Sequence, residues 1–166
     1  MNKNEKKLSF QSINLACGGK LCFEPGWINV DHVPSSDAVK KVNLLKPLPY
    51  TDNSFDVVYH SQFIEHISPE MGSQFIKECF RILKPAGILR VVTPDLENQV
   101  KEYLICLNAI KNNSNDEQSL MRYQWMRLEM LDQLMRHESG GAMMEFIKKR
   151  GWKIKDFLVS MRFMRL

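Results

Sequence analysis

Residues 13–31, INLACGGKLCFEPGWINVD, decide the fold of this chain. A short apolar run ends in the small-residue turn Ala16-Cys17-Gly18-Gly19, and a second apolar run ends in the carboxylate of Asp31. Two such runs read as neighbouring strands of a parallel sheet, with a close-approach backbone loop and an acid side by side at the carboxyl edge where open α/β sheets bind ligands.

The turn fails as a dinucleotide fingerprint. That fingerprint needs Gly-x-Gly-x-x-Gly opening a long helix whose amide groups hold pyrophosphate. Here Ala16 stands for the first glycine, Leu21 for the third, and Pro25-Gly26 breaks any helix early. What remains is backbone that a ligand can approach at Gly18 and Gly19, with Lys20 nearby to meet a carboxylate. Asp31 is placed to accept from a ribose diol, and its alternative role is to cap the turn at Val33-Pro34. A nucleoside joined to an amino acid, as in S-adenosylmethionine, suits these groups better than NAD.

Working outward, residues 1–9 form a polar, basic and flexible N-terminus, and strands are expected at 12–17, 27–30 and 38–43. The connections between them are shorter than the crossover helices that usually join parallel strands. A loop over 44–54 ends in the turn residues Asp52-Asn53-Ser54, and the strand 55–59 leads into His60-Ser61-Gln62 at the same edge. Ser68-Pro69-Glu70 starts a helix whose apolar stripe is Phe75, Ile76, Cys79, Phe80 and Leu83, and Lys84-Pro85 stops it. A strand over 87–93 closes this half.

Taken in order, INLACGG with GWINVD, LPYTDNSFDVVYHSQFIEHI and FRILKPAGILRVVTPD resemble the class I S-adenosylmethionine-dependent methyltransferases of the small-molecule, type 11 group. The resemblance covers residues 13–95. It implies an α/β, Rossmann-like, mostly parallel sheet of six to seven strands in the order 3-2-1-4-5-7-6, here with trimmed crossover helices in its first half. It also implies a cofactor site made of Ala16, Cys17, Gly18 and Gly19 around the methionine, Asp31 on the ribose, Asn43 and Leu44 beside adenine, and His60, Ser61 and Gln62 across the pocket. Three residues depart from the family pattern: Ala16 replaces a glycine, while Asn14 and Asn43 replace acids.

The rest of the chain reads as helices over 96–110, 117–135 and 142–150, a loop over 137–141, and a last strand over 152–159, with 162–166 able to supply another. Met121, Trp125, Leu128, Leu131 and Met135 form a core stripe, and Glu129, Asp132, Gln133 and Arg136 a solvated face on which Asp132 pairs with Arg136. The segment 96–143 is expected to shape the acceptor site. The run from Arg122 to Met143 resembles a segment of methyltransferases encoded among polysaccharide genes, which implies a glycan-related acceptor.

A composition of 44% hydrophobic and 25% charged residues over 166 positions fits one globular domain spanning 1–166. No apolar run reaches membrane-spanning length and no signal-peptide core follows the N-terminus, so a cytoplasmic protein without a membrane partner is expected. Cys17, Cys22, Cys79 and Cys106 lack paired-ligand spacing, giving reduced thiols and no metal. The net charge of +4 is concentrated near the end of the chain, but without a nucleic-acid-binding signature it reads as a solvated face.

Methyl transfer needs a base only where the acceptor must lose a proton. His60, Glu65 and His66 are the nearest candidates, with His66 assigned as the base and a packing histidine as its alternative. Three functions follow: methyl transfer to a small-molecule or glycan-related acceptor, a methyltransferase-like scaffold without turnover, and an NAD-dependent oxidoreductase. The reduced crossovers leave a sheet face for the later helices or a second subunit to cover, and the latter makes a homodimer.

Overall fold

The computed structural model describes residues 10–113, 116–135 and 141–150. The expectations for residues 1–9, 137–140, 152–159 and 162–166, and for Arg136, lie outside these. The chain divides into two compact units, Met1–Thr93 and Pro94–Leu166.

The first unit is a five-stranded, wholly parallel sheet in the order β3-β2-β1-β4-β5, formed by Ser12–Leu15 (β1), Trp27–Asp31 (β2), Val39–Lys41 (β3), Phe55–Ser61 (β4) and Leu83–Val92 (β5). This is the expected order over the first five positions. The strand expected at 152–159 falls beyond the described residues. From 16 to 54 the described backbone contains no α-helix, so the first three connections are loops.

The central strand β1 is wholly buried. Ile13 and Leu15 point into a core with Val30, Val58, Phe55, Leu44 and Leu48, closed by Phe75, Cys79 and Ile82 of the helix Pro69–Ile82 (α1). That helix starts as its sequence dictates, with Ser68 accepting the Met71 amide at 3.4 Å and Pro69 in the first turn. Its buried stripe is Gly72, Phe75, Cys79 and Ile82. Phe80, expected on that stripe, is 61% exposed, because the face toward the sheet runs through Gly72 and Ile82 instead.

Strand β5 begins at Leu83, directly after the helix. Pairing with β4 steps from Phe55↔Leu83 to Val57↔Ile88, so Lys84–Gly87 bulges from the ladder and Ala86 takes a positive φ of 62°. Arg81 fixes the 44–54 loop to α1. Its guanidinium donates to the carbonyls of Leu48 (2.9 Å) and Tyr50 (2.8 Å), to Asp52 (2.8 Å) and to both oxygens of Glu78.

The second unit packs helices Leu96–Asn112 (α2), Glu117–Met135 (α3) and Gly141–Arg150 (α4) around Cys106, Trp125 and Met126. Trp125 and Met121 of the expected α3 stripe join this core and Met126 is added to it, while Leu131 is 51% exposed. Glu129 accepts from the Trp125 indole at 3.1 Å. Asp132 turns to the start of α4, accepting the Ala142 and Met143 amides at 2.8 and 3.2 Å, where free N–H groups favour a carboxylate.

Candidate functional site

Strand register sets the carboxyl edge level. Leu15 pairs with Val30 on one side and His60 on the other, so Asp31, Ala16 and Ser61 stand side by side across β2, β1 and β4. Ser61 in turn pairs with Val92 of β5. The sheet thus gathers the predicted loop, acid and polar segment at one edge.

Asp31 ties two loops together. One carboxylate oxygen accepts the Gly18 amide at 2.8 Å and the other the Val33 amide at 3.0 Å. A carboxylate has about four acceptor positions, so both oxygens can still receive a diol. The Asp31 side chain therefore fills the alternative turn role and keeps acceptor capacity beside it. Ser35 adds a hydroxyl bond to the Gly18 carbonyl at 2.8 Å.

Above Gly18 and Gly19 the space is open, since a Cβ on either would meet no atom within 4 Å. Gly18 has φ +52°, which glycine adopts at little cost. Ala16 also has φ +54°. Left-handed backbone costs a residue with a Cβ about 1–2 kcal/mol, so the alanine in place of the family glycine is strained. Its methyl group packs against the core. Cys17 is buried, and desolvation, with a smaller contribution from the Asp31 charge, raises its thiol pKa, leaving it an inert packing thiol.

The 16–26 loop is held by residues whose role sequence reasoning missed. Asn14 and Asn29 pair across β1 and β2 and are both buried. Asn14 Nδ2 donates to Asn29 Oδ1 at 3.1 Å and to the Lys20 carbonyl at 2.9 Å, while Asn29 exchanges two bonds with the Cys22 backbone at 2.9 and 2.8 Å. Asn14 is thus used by the loop, at a position where an acid would serve a ligand. The signal was present: two asparagines at equivalent places in apolar strands.

The other predicted residues separate. Ser61 is half-buried at the edge. Gln62 is exposed with φ +55° and donates its amide to the Val92 carbonyl at 2.8 Å. His60 turns into the core, fully buried against Phe75 and Phe63, with ring centroids 5.1 and 6.4 Å away. Burial pushes its pKa down to about 4. Leu44 is likewise a core residue. The exposed Asn43 uses its side-chain oxygen to accept the Leu45 amide at 3.0 Å. His66 sits with Glu65 in the single 3-10 turn Ile64–His66 beyond β4, its Nε2 4.0 Å from a Glu65 oxygen.

In the second unit a cavity of about 500 Å³ is lined by Gln124, Arg127, Leu128, Leu131, Asp132 and Phe146. Among the described residues no group of three or more His, Cys, Asp or Glu side chains could hold a metal ion, and no helix is long and apolar enough to cross a membrane.

A parallel sheet in 3-2-1-4-5 order, with open glycine backbone and a strand-end acid beside it, is a Rossmann-like arrangement. Residues 29–91 match the family model Methyltransf_11, described as a methyltransferase domain. Over 51 residues the chain is 47% identical to a probable S-adenosylmethionine-dependent methyltransferase of Mycolicibacterium smegmatis, covering 31% of this chain and 19% of that protein. Over 57 residues it is 42% identical to a probable S-adenosylmethionine-dependent methyltransferase of Mycobacterium tuberculosis (34% and 20% covered), and 37% identical to a probable methyltransferase of Aspergillus luteorubrus (34% and 20%). The chain spans about a fifth of the length of these curated relatives. Less than half of the chain thus carries the likeness to S-adenosylmethionine-dependent methyltransferases.

Proposed function

We propose that this protein transfers a methyl group from S-adenosylmethionine to a small molecule. The observation that carries this reading is Asp31, which holds the Gly18 turn while keeping acceptor capacity at the level edge of β2, β1 and β4. In this reading Asp31 receives the ribose hydroxyls and the open Gly18-Gly19 backbone the amino-acid end, with Lys20 facing its carboxylate. Bound there, S-adenosylmethionine supplies a methyl on a good leaving group, and the chain contributes alignment and exclusion of water. Ala16, Cys17, Ser61 and Gln62 border this space, and Asn43 lies on the adenine side of Asp31. His60 and Leu44 support it from the core.

His66, exposed just beyond β4, is the proposed base for an acceptor that must lose a proton. Replacing it with Asn lowers turnover more than cofactor affinity, and unchanged turnover rejects the role. The acceptor class we propose is a hydroxylated small molecule, sugars included, on the resemblance carried by Arg122 to Met143. We propose that residues 96–143 carry the acceptor specificity.

Thermal unfolding with S-adenosylmethionine, S-adenosylhomocysteine and NAD tests the cofactor: a ligand at a hundred times its Kd adds about 2.7 kcal/mol. Stabilisation by the first two and not by NAD is expected, and stabilisation by NAD alone overturns the proposal. A second reading, a scaffold without turnover, is favoured by Ala16, Asn14 and Asn43, whose departures from the family are tied up in strain or internal hydrogen bonds. Cofactor binding with no transfer to any of a panel of hydroxylated acceptors would support it. We further propose a homodimer covering the sheet face on which Ile88 is 61% exposed, and a monomer by light scattering at micromolar concentration rejects it.

A further inference from the structure

Asn14 and Asn29 are a polar pair in strands whose backbone pairing needs neither side chain. Each is only 5% exposed, and they stand opposite each other across β1 and β2. Apart from the bond between them, their hydrogen bonds all go to the following loop. Asn14 Nδ2 donates to the Lys20 carbonyl at 2.9 Å, and Asn29 accepts the Cys22 amide at 2.9 Å and donates to the Cys22 carbonyl at 2.8 Å.

Cys22 fixes which way the Asn29 amide points. A backbone N–H only donates and a carbonyl only accepts, so Asn29 must give its oxygen to one and its nitrogen to the other. That same oxygen faces Asn14, which answers with N–H groups, to it at 3.1 Å and to the Lys20 carbonyl. Position 14 therefore requires an amide, because a carboxylate there would set an acceptor against two acceptors.

Gly18 and Gly19 thus lie between two clamps. Asp31 and Ser35 hold Gly18 where water reaches, while the asparagines hold Lys20 and Cys22 from within the sheet, where hydrogen bonds are stronger. The space above both glycines is open to a ligand.

We propose that Asn14 and Asn29 are positioning residues of the cofactor site. They touch no ligand and act through the backbone of Lys20 and Cys22, setting the Gly18-Gly19 backbone at the level that receives the amino-acid end of S-adenosylmethionine. This rests on the S-adenosylmethionine reading above and says what prepares the site in a crossover without a helix: a loop already held loses little affinity to ordering on binding.

Asn14→Leu keeps the branched shape and gives up both donations. Calorimetry with S-adenosylhomocysteine on the whole chain should show binding weakened about tenfold, because the apparent Kd scales with the fraction of molecules whose loop is in place. Asn14→Asp, with acceptor against acceptor, should weaken it further. Arg81→Ala controls for stability alone: it should unfold at a lower temperature than the parent, yet bind within about twofold of it where both are folded. Without ligand, hydrogen exchange at the Cys22 amide, which Asn14 does not touch, should quicken about tenfold in Asn14→Leu, while the Ile13 and Leu15 amides keep their rates.

An affinity within about twofold of the parent in Asn14→Leu, or an equal fall in Arg81→Ala, overturns the assignment. If the parent itself binds no S-adenosylhomocysteine, it is the cofactor reading that fails, and unchanged exchange at Cys22 then overturns the clamp as well.

Discussion

Acidification should destabilise this protein through one buried side chain. His60 is fully buried between Phe63 and Phe75, both ring nitrogens lack a hydrogen-bond partner, and burial lowers its pKa from 6.5 to about 4. In the unfolded chain the imidazole takes up its proton as the pH falls through about 6.5, whereas the folded protein resists until near 4. The unfolded state binds more protons across that interval, so stability falls with falling pH there and levels off below it. From about pH 7 to about pH 4.5 the loss is about 2.5 kcal/mol, at roughly 1.4 kcal/mol per pH unit.

Carboxylates with lowered pKa values, such as Asp56 and Glu78, act lower down, because the stability they contribute is lost only as the pH falls through their folded-state values. The measurement is urea unfolding of the parent and His60→Leu across this range. Leucine keeps the apolar volume and removes two unpartnered polar atoms, so at neutral pH the variant should lie within about 1 kcal/mol of the parent. Below pH 6 it should lose about 2 kcal/mol less than the parent. Parallel pH profiles would refute the assignment.

Three further outcomes are expected. Gly26→Ala should cost at least about 2 kcal/mol by thermal unfolding, since at φ +88° an added Cβ would lie 2.2 Å from the Phe10 carbonyl oxygen; a cost below about 0.5 kcal/mol contradicts this. Arg81→Ala should cost about 2–3 kcal/mol by releasing the carbonyls of Leu48 and Tyr50 and the carboxylate of Glu78, and Arg81→Lys should recover only part, because an ammonium cannot bridge them all. Asp31→Ala should weaken S-adenosylhomocysteine binding ten- to a hundredfold by calorimetry, the worth of a diol on a charged acceptor, while costing only about 1 kcal/mol of stability, since water can replace the carboxylate at the exposed Gly18 and Val33 amides.

Much of this fold can be read from the chain because its signals are local. The period-two runs at Ile13-Leu15 and Ile28-Val30, the punctuation at Pro25-Gly26, and the Ser68-Pro69-Glu70 cap each act within a few residues and leave little choice. What the sequence leaves open is direction. Val58 and His60 are two apart in a strand and share a face, so the histidine follows the valine into the core although its residue type suggested the pocket. Leu44 is decided by packing and Asn43 by the turn it closes. Phe80 and Met126 show the same limit for helices, where the edges of the buried stripe depend on the partner and not on propensity.

The loop between β1 and β2 shows how a parallel crossover survives without a helix. A helix would pair its own amides and carbonyls, whereas a loop lying on the sheet must find other partners for them. The Asn14–Asn29 pair supplies these at Lys20 and Cys22, and Asp31 and Ser35 supply them at Gly18. The consequence reaches the site. With Asn14 committed to the loop, Asp31 is the acid left at this edge of β1 and β2, and it shapes the turn while keeping acceptor capacity. The left-handed Ala16 costs about 1–2 kcal/mol, which is offset by the hydrogen bonds that follow it, from the Cys17 amide to the Val30 carbonyl and from the Gly18 amide to Asp31.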